Sequence, residues 1–140
     1  MSDMFDFGNG PVPAHQHPNG GGWVADTAYV DNTAYIGPDA RVSGNAIVSG
    51  NARVSGNAVV FGNAVVYGNA WVYGDARVSD NAKVFGNAWV SGNAVVFGNA
   101  VVYGNARVYG NAVVFDDPWV SDNARVYGNA VVFDDAVVYE

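Results

Sequence analysis

The residues able to do chemistry are few, and they fall in three places. His15 and His17 are the only histidines, and both stand before the regular part of the chain begins. A His-x-His pair suits a borderline metal ion, and threefold symmetry would multiply it into six imidazoles around one axis. Asp116, Asp117, Asp134 and Asp135 form two acidic doublets set 18 residues apart. Ca²⁺ is the cation such carboxylates would share, since it accepts several oxygens in flexible geometry. The other reading makes them turn formers whose charge discourages end-to-end stacking. Arg53, Trp71, Tyr73, Trp89, Arg107 and Arg125 interleave guanidinium groups with aromatic rings. Such a face holds a sugar, a base or an anionic small molecule, or simply packs cation on ring with no ligand. The absence of Cys removes thiol chemistry and disulfides.

What positions these residues is a repeat. From Val24 to Val138 an aliphatic residue recurs every six positions, through 20 hexads without slippage. Two positions before it stands Ala at every step from Ala28 to Ala136, except for Pro118. The unit is Gly-Asn-Ala-x-Val-x, as in Gly62-Asn63-Ala64-Val65-Val66-Tyr67. Ala and Val, two apart, point to one side of a short strand and the x residues to the other. Gly-Asn then turns the chain, because both residues tolerate positive φ. A helix is excluded by the period and by a Gly in nearly every unit, each costing about 1 kcal/mol. A hairpin meander needs longer strands than three or four residues. A solenoid remains, each strand stacked on its equivalent in the next coil.

This pattern resembles the hexapeptide-repeat family related to the bacterial transferase hexapeptide proteins, in hexads covering residues 24–140. The resemblance implies an all-β, left-handed parallel β-helix with three hexads per triangular coil. Twenty hexads then give about 6.7 coils and a prism roughly 30 Å tall at a strand spacing of about 4.8 Å. The domain plan is an irregular N-terminal cap over 1–22 and the β-helix over 23–140.

The resemblance brings enzymes to mind, and the residues argue against them. Acyltransferases of this fold carry a catalytic His on a coil and a long loop. Here no His follows His17 and no insertion interrupts the hexads. The γ-type carbonic anhydrases use three zinc-binding His, and this chain has two. Ice binding needs an array of outward Thr, and only Thr27 and Thr33 are present, both at turns. The His15/His17 pair resembles the iron-binding tips of some phage spikes; the alternative is a capping loop whose His and Asn satisfy an open backbone edge.

Sorted by sheet, all six basic residues and most aromatic ones point outward. Val95, Phe97, Val113, Phe115, Val131 and Phe133 make an unbroken apolar strip on one face. That strip is the expected oligomer interface, and stacked rings at one corner also tie adjacent coils together. A net charge of −7 argues against nucleic acid as partner. No apolar run approaches the roughly 18 residues of a membrane span. Met1-Ser2-Asp3-Met4-Phe5-Asp6 lacks the features of a signal peptide, so the expected location is cytoplasmic or virion-associated. The expected function is that of a non-catalytic structural or assembly protein, a homotrimer resembling hexapeptide-repeat proteins of bacteria and phages. No cofactor is expected beyond the Ca²⁺ alternative. A small-ligand binding module, using inter-subunit grooves or the Arg/aromatic face, and a divergent acyltransferase stay open beside it.

Overall fold

A computed structural model describes residues 3–139. The first two residues of the expected cap and Glu140 lie outside the described residues. Among those described there is no helix, and the strands gather into three sheets of nine, seven and six. Each sheet stacks equivalent positions in parallel, 18 residues apart, as in Val95↔Val113↔Val131 and Val65↔Lys83↔Val101. The result is a β-solenoid of about six turns.

Most regular strands are two residues long, shorter than the three or four expected. Coil-to-coil pairing nevertheless continues through the corners: Val65 N–H donates to Ala82 at 3.0 Å, Tyr67 to Val84 at 3.0 Å and Asn69 to Gly86 at 2.8 Å. Nearly every rung of the hexad therefore contributes a backbone bond to the next coil, which is why so short a strand suffices.

The interior is a stack of Ala and Val, with Ile36 the largest buried side chain. Small Ala beside branched Val fills a narrow cross-section at every level with stiff side chains, leaving little rotamer entropy to lose. Pro118 replaces Ala without leaving the interior.

At the corners the residue before Asn adopts positive φ. Gly86 has φ +70°, and a Cβ there would stand 3.0 Å from the amide nitrogen of Gly104. Asp80, Asp116, Asp122 and Asp134 take this same corner position at φ between 57° and 69°. Asp is among the few residues that visit this region.

The N-terminal segment differs from expectation. The stretch read as irregular contains an antiparallel hairpin of β1 (Asp3–Asp6) and β2 (Pro11–Gln16), and β2 pairs antiparallel with β3 (Trp23–Ala25). The Asp6 carboxylate organises the hairpin turn by accepting from Gly8 N–H at 2.7 Å and Gly10 N–H at 3.0 Å. Phe5 stacks on Trp23 with centroids 4.8 Å apart, and the Arg41 guanidinium lies over Phe5 at 5.0 Å. The hairpin thus closes the open edge of the first sheet, and the following loop closes the other two. His17 Nε2 bonds the Asp31 carbonyl at 2.9 Å on the second sheet. On the third, Ile36 N–H donates to the Asn19 carbonyl and Gly22 N–H to the Ile36 carbonyl, each at 3.0 Å.

Candidate functional site

The two histidines have separate structural work. His17 is 3% exposed; its Nδ1 accepts from Asn19 N–H at 3.1 Å while its Nε2–H faces the Asp31 carbonyl. His15 lies at the surface with Nδ1 2.8 Å from an Asp26 carboxylate oxygen. One ring is buried in the cap and the other pinned outside it, so the pair does not present two free nitrogens to one ion.

The acidic doublets do stack in register, yet the Asp116 and Asp117 carboxylates are turned to a backbone and an amide partner. Asp116 Oδ2 accepts from Asp134 N–H at 3.3 Å, and Asp117 Oδ1 accepts from the Asn99 side-chain amide at 3.1 Å. Asp80 does the same for Gly98 N–H at 3.2 Å. Among the described residues no group of three or more His, Asp or Glu is arranged to hold a metal ion. Asp116 and Asp134 stand at positive φ, and Asp116 folds back over the next coil's amide while Asp117 meets a side-chain amide of the coil below; this arrangement adds no converging set of oxygens to the Ca²⁺ reading of Asp116, Asp117, Asp134 and Asp135.

The apolar strip forms as the spacing requires. Val95, Val113 and Val131 are register partners. Phe97 stacks on Phe115 at 5.2 Å and Phe115 on Phe133 at 5.7 Å, with rings within 14° of parallel. Its lower rungs are half-buried by their own stacking, while Val131 and Phe133 are exposed at 53% and 48%. The second sheet carries a matching ladder, Tyr67–Phe85–Tyr103, with centroids 4.8 and 5.1 Å apart.

The third sheet aligns every residue expected on the ligand face. Arg53 lies 5.9 Å from the Tyr35 ring centroid and 5.3 Å from that of Trp71. Trp71 stacks on Trp89 at 5.1 Å, and Arg107 covers the far side of Trp89 at 4.5 Å. Arg125 follows as the register partner of Arg107. In the neighbouring column Tyr73 meets the edges of Trp71 and Trp89 at 6.3 and 6.1 Å, and Tyr109 stacks on Tyr127 at 5.4 Å. A cavity of about 210 Å³ opens here, lined by Tyr73, Trp89, Ser91, Arg107, Tyr109 and Arg125. A second, of about 430 Å³, lies on the other flank of the arginines, between them and Asn87, Asn105 and Asn123.

Two features escaped the sequence. A cleft of about 330 Å³ lies under the hairpin, walled by Phe7, Val12, Pro13 and Ala25; it exists only because the N-terminal segment is a hairpin. Asp31 accepts from Gly50 N–H at 2.9 Å and from the Tyr29 hydroxyl. The Tyr29 bond first, then the Gly50 bond, lowers the Asp31 pKa, and the same carboxylate raises that of Tyr29. The signal was present, an Asp two residues after a Tyr on one strand face, but it looks like any surface alternation.

A family model described as YdcK Beta solenoid repeat matches the chain over residues 40–54, 48–62, 52–68, 60–74, 76–92, 88–104, 102–116, 106–122, 119–132 and 124–140. These overlapping segments span well over half of the sequence. No curated protein and no solved structure matches the chain.

Proposed function

The chain belongs to the YdcK beta-solenoid repeat family, and we propose that it is a non-catalytic assembly protein, a left-handed coil that associates into a homotrimer. The observation carrying this reading is the column of Val95, Phe97, Val113, Phe115, Val131 and Phe133, aligned over three coils and open to solvent at its upper end. Ring stacking accounts for part of each Phe surface but leaves the outer faces of the valines and ring edges uncovered.

Magnitudes favour a closed ring. Covering about 300 Å² of such a patch yields about 7 kcal/mol at about 25 cal/mol per Å². Association costs about 4–15 kcal/mol, so a single contact is marginal. In a ring each subunit makes two contacts, and three is the smallest ring in which the strip meets a different surface of its neighbour.

Of the two histidines, His17 supports the non-catalytic reading through its partners: a general base needs a free nitrogen in reach of a substrate, whereas His17 is enclosed by the cap with both ring nitrogens bonded to backbone. Light scattering at micromolar concentration is expected to give three times the chain mass. Phe97→Ser with Phe115→Ser is expected to lower that mass while keeping the β circular-dichroism spectrum. A monomeric wild type, or a folded double variant of unchanged mass, overturns the assembly reading.

A further inference from the structure

We propose that the third sheet binds a flat-ringed phosphate monoester of the nucleoside monophosphate class, with its phosphate on Arg107 and Arg125 and its ring in the gap above Ser91.

The arginine pair is unlike every other cation of the chain. Arg53 has Tyr35 and Trp71 as register partners, Arg77 has Val59 and Val95, and Lys83 has Val65 and Val101. Arg41 likewise lies between Trp23 and Val59. Only Arg107 and Arg125 are direct neighbours, at the strand spacing of about 4.8 Å. Among the described residues neither has a carboxylate within ion-pairing distance. The Arg107 guanidinium rests over the Trp89 ring at 4.5 Å, a contact that restrains it beside the cavity. Two like charges at this separation repel, and a doubly charged anion bridging both forks relieves them. A phosphate monoester has the charge and the three oxygens for two guanidinium groups, whereas one carboxylate is satisfied by a single Arg.

The neighbouring column has one rung missing. Reading up the sheet it runs Tyr73, Ser91, Tyr109, Tyr127, and the last two rings are stacked. Ser91 leaves the lower face of Tyr109 without a ring, and the 210 Å³ cavity lies there with both arginines in its wall. Serines interrupt the other columns as well: Ser79 and Ser121 are buried at 7% and 6% exposure, and the half-buried Ser43 lies in a cavity of about 250 Å³ with Phe61, Arg41 and Arg77. What sets the Ser91 gap apart is that its two arginines are register neighbours, whereas Arg41 and Arg77 are separated by the rung of Val59. A single planar ring fills it by stacking under Tyr109, and a phosphate a few ångströms away meets the arginines. The volume is below the roughly 300–1,000 Å³ of enclosed drug-sized sites, which suits one ring with the rest of the ligand lying along the surface.

The charge layout agrees. Asp80, Asp116, Asp117, Asp134 and Asp135 collect at the corner between the first and second sheets, across the core from the third. The flank beside the arginines carries Asn87, Asn105 and Asn123, with one exposed carboxylate, Asp122, at the same corner. An anion on the third sheet thus meets a weaker opposing field than at the acidic corner.

The test is calorimetry with adenosine monophosphate, adenosine, ribose 5-phosphate and sodium chloride at matched ionic strength, with light scattering on the same samples. Adenosine monophosphate is expected to bind at least tenfold more tightly than adenosine or ribose 5-phosphate, because only it uses both halves. Arg107→Gln and Arg125→Gln are each expected to weaken it at least tenfold and to leave adenosine unchanged. Ser91→Tyr, which completes the ladder, is expected to raise Tm and to bring adenosine monophosphate down to the level of ribose 5-phosphate. Equal responses to all the phosphates and to chloride overturn the proposal in favour of bulk charge. Loss of assembly mass in Arg125→Gln, with no adenosine monophosphate binding by the wild type, overturns it in favour of a second copy's acidic corner on the arginines. A monomeric wild type that binds adenosine monophosphate removes the assembly reading and leaves this one standing.

Discussion

A single carboxylate gives the sharpest pH prediction. Asp31 holds its proton less readily in the fold, because the Tyr29 hydroxyl and Gly50 N–H both stabilise its charged form. Its contribution to stability is fully present above the unfolded value near 3.8 and is lost as pH falls through the lower folded value. Tyr29 works oppositely: with its pKa raised above 10.0, it contributes below that value and loses the contribution as pH climbs past the folded one. The stability difference between wild type and Asp31→Asn, followed as Tm, should be flat through neutral pH, begin to shrink at about pH 4 and disappear below the lower folded-state value; a constant difference would refute it. His17→Leu is expected to cost about 1–3 kcal/mol by leaving the Asp31 carbonyl and Asn19 N–H without a partner, read from a urea midpoint. The sequence offered His15 and His17 as a pair because it shows spacing and not surroundings. Which nitrogen meets a carbonyl and which a carboxylate depends on where the loop crosses the coil ends, and no local pattern encodes that.

At the scale of elements, the corner residue separates backbone conformation from side-chain chemistry. Gly86→Ala places a Cβ at φ +70°, 3.0 Å from Gly104 N, and should cost about 1–3 kcal/mol. Gly86→Asp should cost less than the alanine despite its larger side chain, because the carboxylate can accept from the next coil's amide as Asp80 does from Gly98. Thermal melts of the two variants decide it, and an Asp variant no better than Ala refutes it. The coils were legible because the Ala-x-Val period never slips, so Val65 is tied to Val66 and to Lys83 by arithmetic alone. The hairpin was not, since residues 1–22 follow no period, and Pro11 and Pro13 each lack a strand donor. Both prolines have the same parity in β2, so the donors they lack all face β3, where Pro13 still accepts from Asp26 N–H at 3.0 Å. Removal of the hairpin exposes the first-sheet edge, and a chain beginning at residue 17 should aggregate at concentrations where the full chain stays clear by turbidity.

The whole molecule superimposes two periods. The interior and the corners repeat every six residues, while each outward column repeats every 18, since a residue returns to the same sheet only after three hexads. Stability from core and backbone pairing should then respond to one period, and every surface property to the other. Deleting 98–115 removes one full coil: Phe97 is followed by Asp116, Phe133 takes the place of Phe115 in the first-sheet ladder, and the columns close up. This variant should keep its β spectrum, melt somewhat lower and still self-associate, more weakly, through the shortened strip. Deleting 104–109 removes one hexad. Every later Ala and Val still points inward, but Val113, Phe115, Val131 and Phe133 move from the first sheet to the third, away from Val95 and Phe97. The fold should survive with a similar melting temperature while the assembly falls to monomer, and Arg125, carried to the second sheet without Arg107, should bind no phosphate ester. Deleting three residues, 104–106, puts the following Gly-Asn turn out of phase with the core and should abolish the cooperative melt. If the six-residue deletion unfolds as thoroughly as the three-residue one, the outward ladders are required for folding itself, and the separation of an inner period that folds from an outer period that recognises is wrong.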